Sequence, residues 1–234
     1  MDKFLITGAS SGIGRELALR LAARGAKLVL SGRSEGKLSE VAAACTGATA
    51  VETVASDITS PGAAEALVAK ACESMGGIDC VIHCAGIGLI KPAAETTDAE
   101  FSKVVNTNLR GTFLVAREAC KAMAAQKHGL FITLPGILGK AVMKNAAAYI
   151  ASKFGVTGLI KTFAQEYARS GVRFCLFFLG GVDSPFWDGI NMAVQRDKMI
   201  PLPTAADLIM QAIDAPPHLV LAEVVLQPES HQLV

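Results

Sequence analysis

The sequence predicts a single doubly wound α/β domain, and three observations carry that expectation. Short runs rich in Val, Ile, Leu and Phe alternate with segments of helical spacing along the whole chain. No internal repeat, low-complexity tract or proline-rich linker divides the 234 residues, a length at which one domain buries about 70–75% of its unfolded surface. The mean hydropathy of +0.41 is high, as expected for a mostly or wholly parallel sheet of about seven strands covered by helices on both faces.

Strands are predicted at Lys3–Thr7, Ala26–Leu30, Ala50–Ser56, Cys80–Cys84, Leu130–Leu134, Val172–Leu179 and Val220–Leu226. Helical spacing falls between them at Ile13–Arg24, Glu35–Cys45, Gly62–Ser74, Asp98–Gln126, Ala148–Ser170 and Thr204–Asp214. Strands separated by helices imply parallel pairing with right-handed crossovers. The domain is expected to span 1–234, with Phe186–Pro203 fitting the rhythm least and marked as a candidate substrate lid. The helix beginning near Ala148 is lined with small residues, Ala146, Ala147, Ala148, Ala151, Ser152, Gly155 and Gly158. That stripe suits either close packing within the chain or a subunit interface.

Charge and composition exclude several classes. Lys and Arg total 22 against 21 Asp and Glu, a net charge of +1, so nothing favours nucleic acid or an anionic membrane as partner. With 51% hydrophobic and 18% charged residues the chain is not disordered. A spanning helix needs about 20 apolar residues; Gly129–Val142 and Phe174–Val182 are shorter and interrupted by proline, glycine or lysine. The polar glycine-rich stretch reached at Thr7 leaves no room for a signal peptide. Cys45, Cys72, Cys80, Cys84, Cys120 and Cys175 form no CxxC pair; they are expected to be reduced, in a cytoplasmic protein without a metal site.

The stretch Thr7-Gly8-Ala9-Ser10-Ser11-Gly12-Ile13-Gly14 follows the first strand and opens the first helix. A helix N-terminus offers unpaired N–H groups and a dipole that favours phosphate. Gly8 permits the tight turn, Gly12 lets backbone approach a pyrophosphate, and Gly14 lets helix and strand pack closely. A glycine triplet elsewhere would be only a turn; between strand and helix it reads as a dinucleotide site.

The spacing GxxxGxG resembles the short-chain dehydrogenase/reductase family, and the resemblance extends over essentially the whole chain. Asp57-Ile58, Ala85-Gly86, Asn108-Leu109-Arg110-Gly111, Tyr149-x-x-x-Lys153 and Gly180 through Trp187 fall in the family's order. The resemblance implies a Rossmann domain, an oxidoreductase activity on a small carbonyl or secondary alcohol, and a homodimer or homotetramer. It assigns cofactor binding to Gly8, Ser10, Ser11, Gly12, Ile13, Gly14, Asp57, Ile58, Ala85, Gly86, Tyr149, Lys153, Val182 and Ser184. At the end of the second strand Ser31-Gly32-Arg33 stands where NAD-binding relatives carry an acid. A guanidinium can grip a 2′-phosphate, so NADP(H) is favoured over NAD(H), although Ser11 lacks a further basic residue. Otherwise Arg33 is a solvated loop residue, and Asp57 a turn cap for Thr59 and Ser60.

Tyr149 and Lys153 are four apart and share a helix face. By resemblance Tyr149 is the acid–base, Lys153 lowers its pKa and holds the nicotinamide ribose, and Asn108 supports a proton relay. The family's serine, thirteen residues before the tyrosine, is replaced by Gly136. Losing one oriented donor commonly costs about 10²–10³ in rate. A water, Thr133 or Ser184 would then supply a donor, or carbonyl chemistry is weak and the chain is a nucleotide-binding sensor or scaffold. His83-Cys84 replaces paired asparagines, and His83 is read as a packed histidine bonded to backbone rather than a base. Leu89, Ile90, Ile137, Leu138, Phe186, Trp187, Ile190 and Met192 are candidates to line an apolar substrate pocket. The run His218–Pro228 is similar to the tail of relatives acting on small hydroxy acids and ketones.

Overall fold

The computed structural model describes residues 1–233. Its strands are β1 (Lys3–Thr7), β2 (Lys27–Gly32), β3 (Ala50–Ala55), β4 (Cys80–His83), β5 (Gly129–Thr133), β6 (Val172–Leu179) and β7 (Glu223–Leu226). They form one sheet in the order β3-β2-β1-β4-β5-β6-β7, every neighbouring pair parallel.

Alternation along each strand divides the core between two layers. Phe4, Ile6, Leu28, Leu30, Ile82 and Ile132 face α1 (Gly12–Ala23), α2 (Glu35–Ala44) and α7 (Leu202–Ile213). Leu5, Val29, Val81 and Phe131 point to the other side, against α3 (Ala63–Met75), α5 (Gly111–Gln126) and α6 (Ala147–Glu166). Helices on both faces explain why the inner strands read as continuous apolar runs. Burying each such side chain fully contributes about 1.5–3 kcal/mol.

The element boundaries follow the sequence reading with local corrections. The predicted helix Asp98–Gln126 is one helical run, α4 (Asp98–Val105) and α5 joined by a π-turn at Asn106–Arg110. The helix predicted to reach Ser170 ends at Glu166, because Arg169 (φ 68°) and Gly171 (φ 87°) turn the chain into β6. Strand β7 begins at Glu223 rather than Val220, since β6 offers it only Leu176 to Leu179. Leu202 and Pro203, the end of the predicted lid, belong to the first turn of α7, where proline's fixed φ is favourable.

Winding runs outward from β1 to β3, then returns to place β4 beside β1 and continues the other way. Beyond the carboxyl ends of β1 and β4 this reversal opens a crevice. Two glycines decide how tightly it closes. Gly8 has φ +68°, and a β-carbon there would lie 2.8 Å from the Ala85 nitrogen. A β-carbon on Gly14 would lie 2.5 Å from the Gly8 carbonyl oxygen, a backbone clash that no side-chain rotation relieves. β1, α1 and the end of β4 can therefore meet only through bare backbone.

Candidate active site

A cavity of about 650 Å³ runs along the carboxyl edge of the sheet. Gly8, Ser10, Ser11, Gly12, Ile13, Gly14, Arg33, Asp57, Ile58, Ala85, Gly86, Tyr149, Lys153, Val182 and Ser184 all line it. The topology thus gathers fifteen predicted positions from seven separate loops and helices. Asn108 alone among the predicted site residues does not line it, being buried behind the wall.

One end is built for polar contact. The turn Gly8–Ser11 leads into α1, whose first N–H groups have no partner within the helix. Ser184 approaches the same turn, its Cβ 3.7 Å from where a β-carbon on Gly12 would stand. Next to it, Ser31 is fully buried at the end of β2, and its hydroxyl has no hydrogen-bond partner among the described residues. Arg33 is exposed beyond it and enters no ion pair among the described residues. Asp57 Oδ1 accepts from the Thr59 amide (2.9 Å) and hydroxyl (2.7 Å). These bonds, with Arg33 nearby, hold its carboxyl below the usual range. Asp57 therefore caps its turn while facing the cavity.

At the other end, Tyr149 lies in the first turn of α6 with Lys153 one turn on, its Nζ 5.5 Å from the phenol ring centre. Lys153 Nζ donates to the Leu134 carbonyl at 2.9 Å, and burial lowers its pKa to about 8. Burial pushes the Tyr149 phenol up. Loss of hydration disfavours the phenolate in the protein by itself. Asn108 Oδ1 accepts from the Ile87 amide (2.8 Å), and Nδ2 donates to the Ile87 carbonyl (2.9 Å) and Ser152 Oγ (3.0 Å). Ser152 Oγ donates in turn to the Tyr149 carbonyl. The π-turn places this amide against the loop after β4. A β-carbon on Gly86 would lie 3.3 Å from Asn108 Oδ1 and 3.7 Å from Lys153 Nζ.

A family model described as short chain dehydrogenase matches residues 2–195. The chain belongs to the short-chain dehydrogenase/reductase family. It is an oxidoreductase of that family, with the Rossmann-type sheet its members share. It is 31% identical to a sepiapterin reductase of Chlorobaculum tepidum over 97% of this chain and 96% of the relative. Identity to levodione reductase of Leifsonia aquatica is 38%, covering 88% of this chain and 78% of that one. A metagenomic short-chain oxidoreductase solved in complex with NADP superposes with a TM-score of 0.81, at 29% identity and 97% coverage of both chains.

Gly136 and His83, the two positions singled out in the sequence, each have a physical setting here. Gly136 adopts φ 70° and ψ 173°, a region that is essentially glycine's own and costs other residues about 1–3 kcal/mol. A β-carbon would find room, 3.5 Å from the Leu179 carbonyl oxygen, so backbone conformation rather than space opposes a serine. The suggested substitute donors lie elsewhere: Thr133 is buried within β5, and Ser184 stands by the glycine turn.

His83 is 2% exposed and bonds to two threonine hydroxyls, not to backbone as the sequence suggested. Its Nε2 is 3.0 Å from Thr112 Oγ1 and its Nδ1 2.8 Å from Thr7 Oγ1. Thr112 gives its one proton to the Asn108 carbonyl, so its oxygen can only accept from His83 Nε2–H. Nδ1 is then bare and accepts from the Thr7 hydroxyl, whose oxygen receives the Ala85 amide at 3.4 Å. One neutral tautomer joins the loop after β4 to the π-turn.

The substrate side needed correction as well. Ile90, Ile137, Leu138, Phe186, Trp187 and Met192 line the cavity; Leu89 and Ile190 do not. Ile190 instead presses on Gly88 beside Phe186. Sequence reasoning missed Met143 and the tail residues Ser230, His231 and Leu233. Their place depends on a long-range fold-back for which a linear pattern carries no signal.

Burial lowers the His83 pKa to about 3, whereas the unfolded chain takes up that proton near 6.5. As pH falls through about 6.5 the unfolded state takes up one more proton than the folded state, so stability is expected to drop by about 1 kcal/mol between pH 6.5 and 5.5 from this group and to approach about 1.4 kcal/mol per pH unit below that. Urea titrations at pH 6.5, 6.0 and 5.5 check it. His83→Asn should flatten the slope, and an unchanged slope assigns the effect to another group.

Proposed function

We propose that the protein is an NADP(H)-dependent reductase of small, uncharged carbonyl compounds, working reversibly on the corresponding alcohols. The observation that carries this is the convergence of the glycine turn, Lys153 and Tyr149 on one cavity whose Tyr149 end is apolar. A dinucleotide fits that cavity. Bare backbone at Gly8 and Gly14 seats the turn and α1 tightly against the sheet edge, which brings the unpaired N–H groups of the α1 N-terminus to the cavity. The unpartnered Ser31 hydroxyl adds a buried polar group at the Arg33 end. Gly8–Gly14, Val182 and Ser184 would hold the diphosphate and carboxamide, Asp57 and Ile58 the adenine, and Ala85, Gly86 and Lys153 the nicotinamide ribose. NADP in a complexed relative and the exposed guanidinium of Arg33 both favour the 2′-phosphorylated form.

When bound, the reduced nicotinamide supplies hydride and the oxidised form accepts it. The chain's own part is proton management. A phenol held protonated by burial is ready to donate to a carbonyl oxygen as negative charge develops on it. Lys153, mostly charged at neutral pH, stabilises the resulting phenolate. Asn108, with no donor left on its amide, acts by position: it ties α6 to the loop after β4 and so sets Lys153 against Gly86. Gly136 leaves Tyr149 without the family's second hydroxyl, which favours moderate rather than high turnover. The same glycine supports the second reading, a binding protein that retains the cofactor as sensor or scaffold.

A homodimer or homotetramer is supported by an unpartnered stripe on α6. Ala147, Ala151, Phe154 and Gly158 are exposed along it, and Phe113 of α5 is 37% exposed. The buried members of the small-residue set, Ala146, Ala148 and Ser152, serve packing within the chain, as does Gly155 against Leu109. Six unpaired cysteines suit a cytoplasmic location, and among the described residues no helix is long and apolar enough to cross a membrane.

Tyr149→Phe is expected to lower NADPH-dependent reduction across a carbonyl panel by about 10²–10⁴-fold while leaving cofactor affinity within about twofold. Retained turnover would remove the acid–base role, and a wild-type protein that binds cofactor yet turns over nothing would favour the sensor. Calorimetric titration should show NADPH bound more tightly than NADH, with Arg33→Ala closing the gap by about ten- to a hundredfold. Equal affinities in the wild type would refute the preference. Sedimentation at micromolar concentration should show a dimer or tetramer; a monomer would leave the α6 stripe unexplained.

A further inference from the structure

After β7 the chain turns back across the mouth of the cavity. Gly180 N donates to the Leu226 carbonyl at 2.7 Å, and a β-carbon on Gly180 would lie 2.8 Å from Pro228 Cδ. The turn there is therefore seated tightly on the end of β6. Beyond it, the His231 amide donates to the Pro228 carbonyl at 3.2 Å. The Leu233 amide donates to Gln227 Oε1 at 2.6 Å, a side-chain clasp that closes the loop six residues on. Leu233 is thereby delivered into the apolar cluster of Ile137, Leu138 and Ala146, the same cluster against which Tyr149 packs. It is half-buried there and lines the cavity.

We propose that Leu233 is a specificity-determining residue, forming the apolar wall that limits the size of the substituent a carbonyl substrate carries beside Tyr149. Gln227 is the residue that positions it. The proposal rests on the reading of the cavity as a carbonyl site and adds to it a ligand class: uncharged ketones with a compact aliphatic or alicyclic group. Three features carry it. Leu233 shares its packing neighbours with Tyr149. The members of that cluster that line the cavity with it, Ile90, Ile137, Leu138 and Met143, present apolar surface. The Leu233 amide is held by a single side-chain hydrogen bond, from Gln227, rather than by a helix or strand, so a single substitution can release it.

One methylene in an apolar pocket discriminates between ligands by about 10–200-fold, and Leu233→Ala removes several carbon atoms. Trp187 is the chain's only tryptophan and lines the cavity, so its fluorescence reports occupancy without turnover. Protein saturated with NADP⁺ is titrated with acetone, cyclohexanone and 2-decalone. The same three ketones are then tested as substrates with NADPH. Leu233→Ala should shift the ratio of cyclohexanone to 2-decalone affinity by about tenfold or more toward the larger ketone, with the affinity for NADP⁺ unchanged. Gln227→Ala should produce a shift in the same direction, seen in KM more than in kcat. Gln227→Glu, which keeps an acceptor oxygen for the Leu233 amide, should restore the wild-type ratio. A ratio unchanged in Leu233→Ala overturns the proposal, as does a wild-type protein that binds none of the three. Ketone binding with the expected shift but no reduction by NADPH would uphold the wall and overturn the assigned reaction.

Discussion

The cavity exists because backbone meets backbone without side chains at the point where the sheet's winding reverses. Gly8 brings the end of β1 against Cys84 and Ala85, and Gly14 brings the first turn of α1 against Gly8 itself. A methyl group at either place would drive the helix N-terminus off the sheet edge or shift β4. The polar end of the cavity would then lose its geometry, because donors at a helix N-terminus act only where the helix points. Parallel order makes this possible: every strand delivers its carboxyl end to the same edge, so loops distant in sequence share one surface.

Behind that surface lies a buried polar lattice. The neutral His83 spans Thr7 of β1 and Thr112 of α5, and Asn108 spans the loop after β4 and Ser152 of α6. Each buried donor or acceptor left unpaired would cost about 1–3 kcal/mol, so the groups hold one another to a single arrangement. The π-turn at Asn106–Arg110 is what lets an amide on a long helix reach both partners. Lys153 and Tyr149 sit on α6, braced by this lattice and by the Leu134 carbonyl. Their protonation states follow from the same burial, which favours neutral phenol over phenolate and softens the ammonium.

Most of the fold was legible in the chain. Seven apolar runs and the segments between them anticipated each strand and helix within a few residues, because both periodicities are local. The glycine turn and the Tyr149–Lys153 pair were legible too as groups that share one cavity, since each is set by spacing within a single strand–helix unit or a single helix. Errors clustered where distant chain decides. Leu89 and Ile190 are apolar and near in sequence to lining residues, yet Ile190 packs on Gly88 beside Phe186 instead. His83 was expected to satisfy itself on backbone, but two threonines 76 and 29 residues away take both ring nitrogens.

The sequence by itself determined the parallel α/β plan, the place of the glycine turn and the pairing of Tyr149 with Lys153 one helical turn apart. Those properties depend on composition and short-range spacing, which folding does not alter. Only the tertiary structure decided how the groups behave. Burial raised the phenol, a positive φ made Gly136 a backbone requirement, and a clasp at Gln227 set Leu233 against the apolar cluster on which Tyr149 also packs. Each is the result of surroundings assembled from separate parts of the chain, and loss of water or distance from an ammonium has no counterpart in a linear pattern.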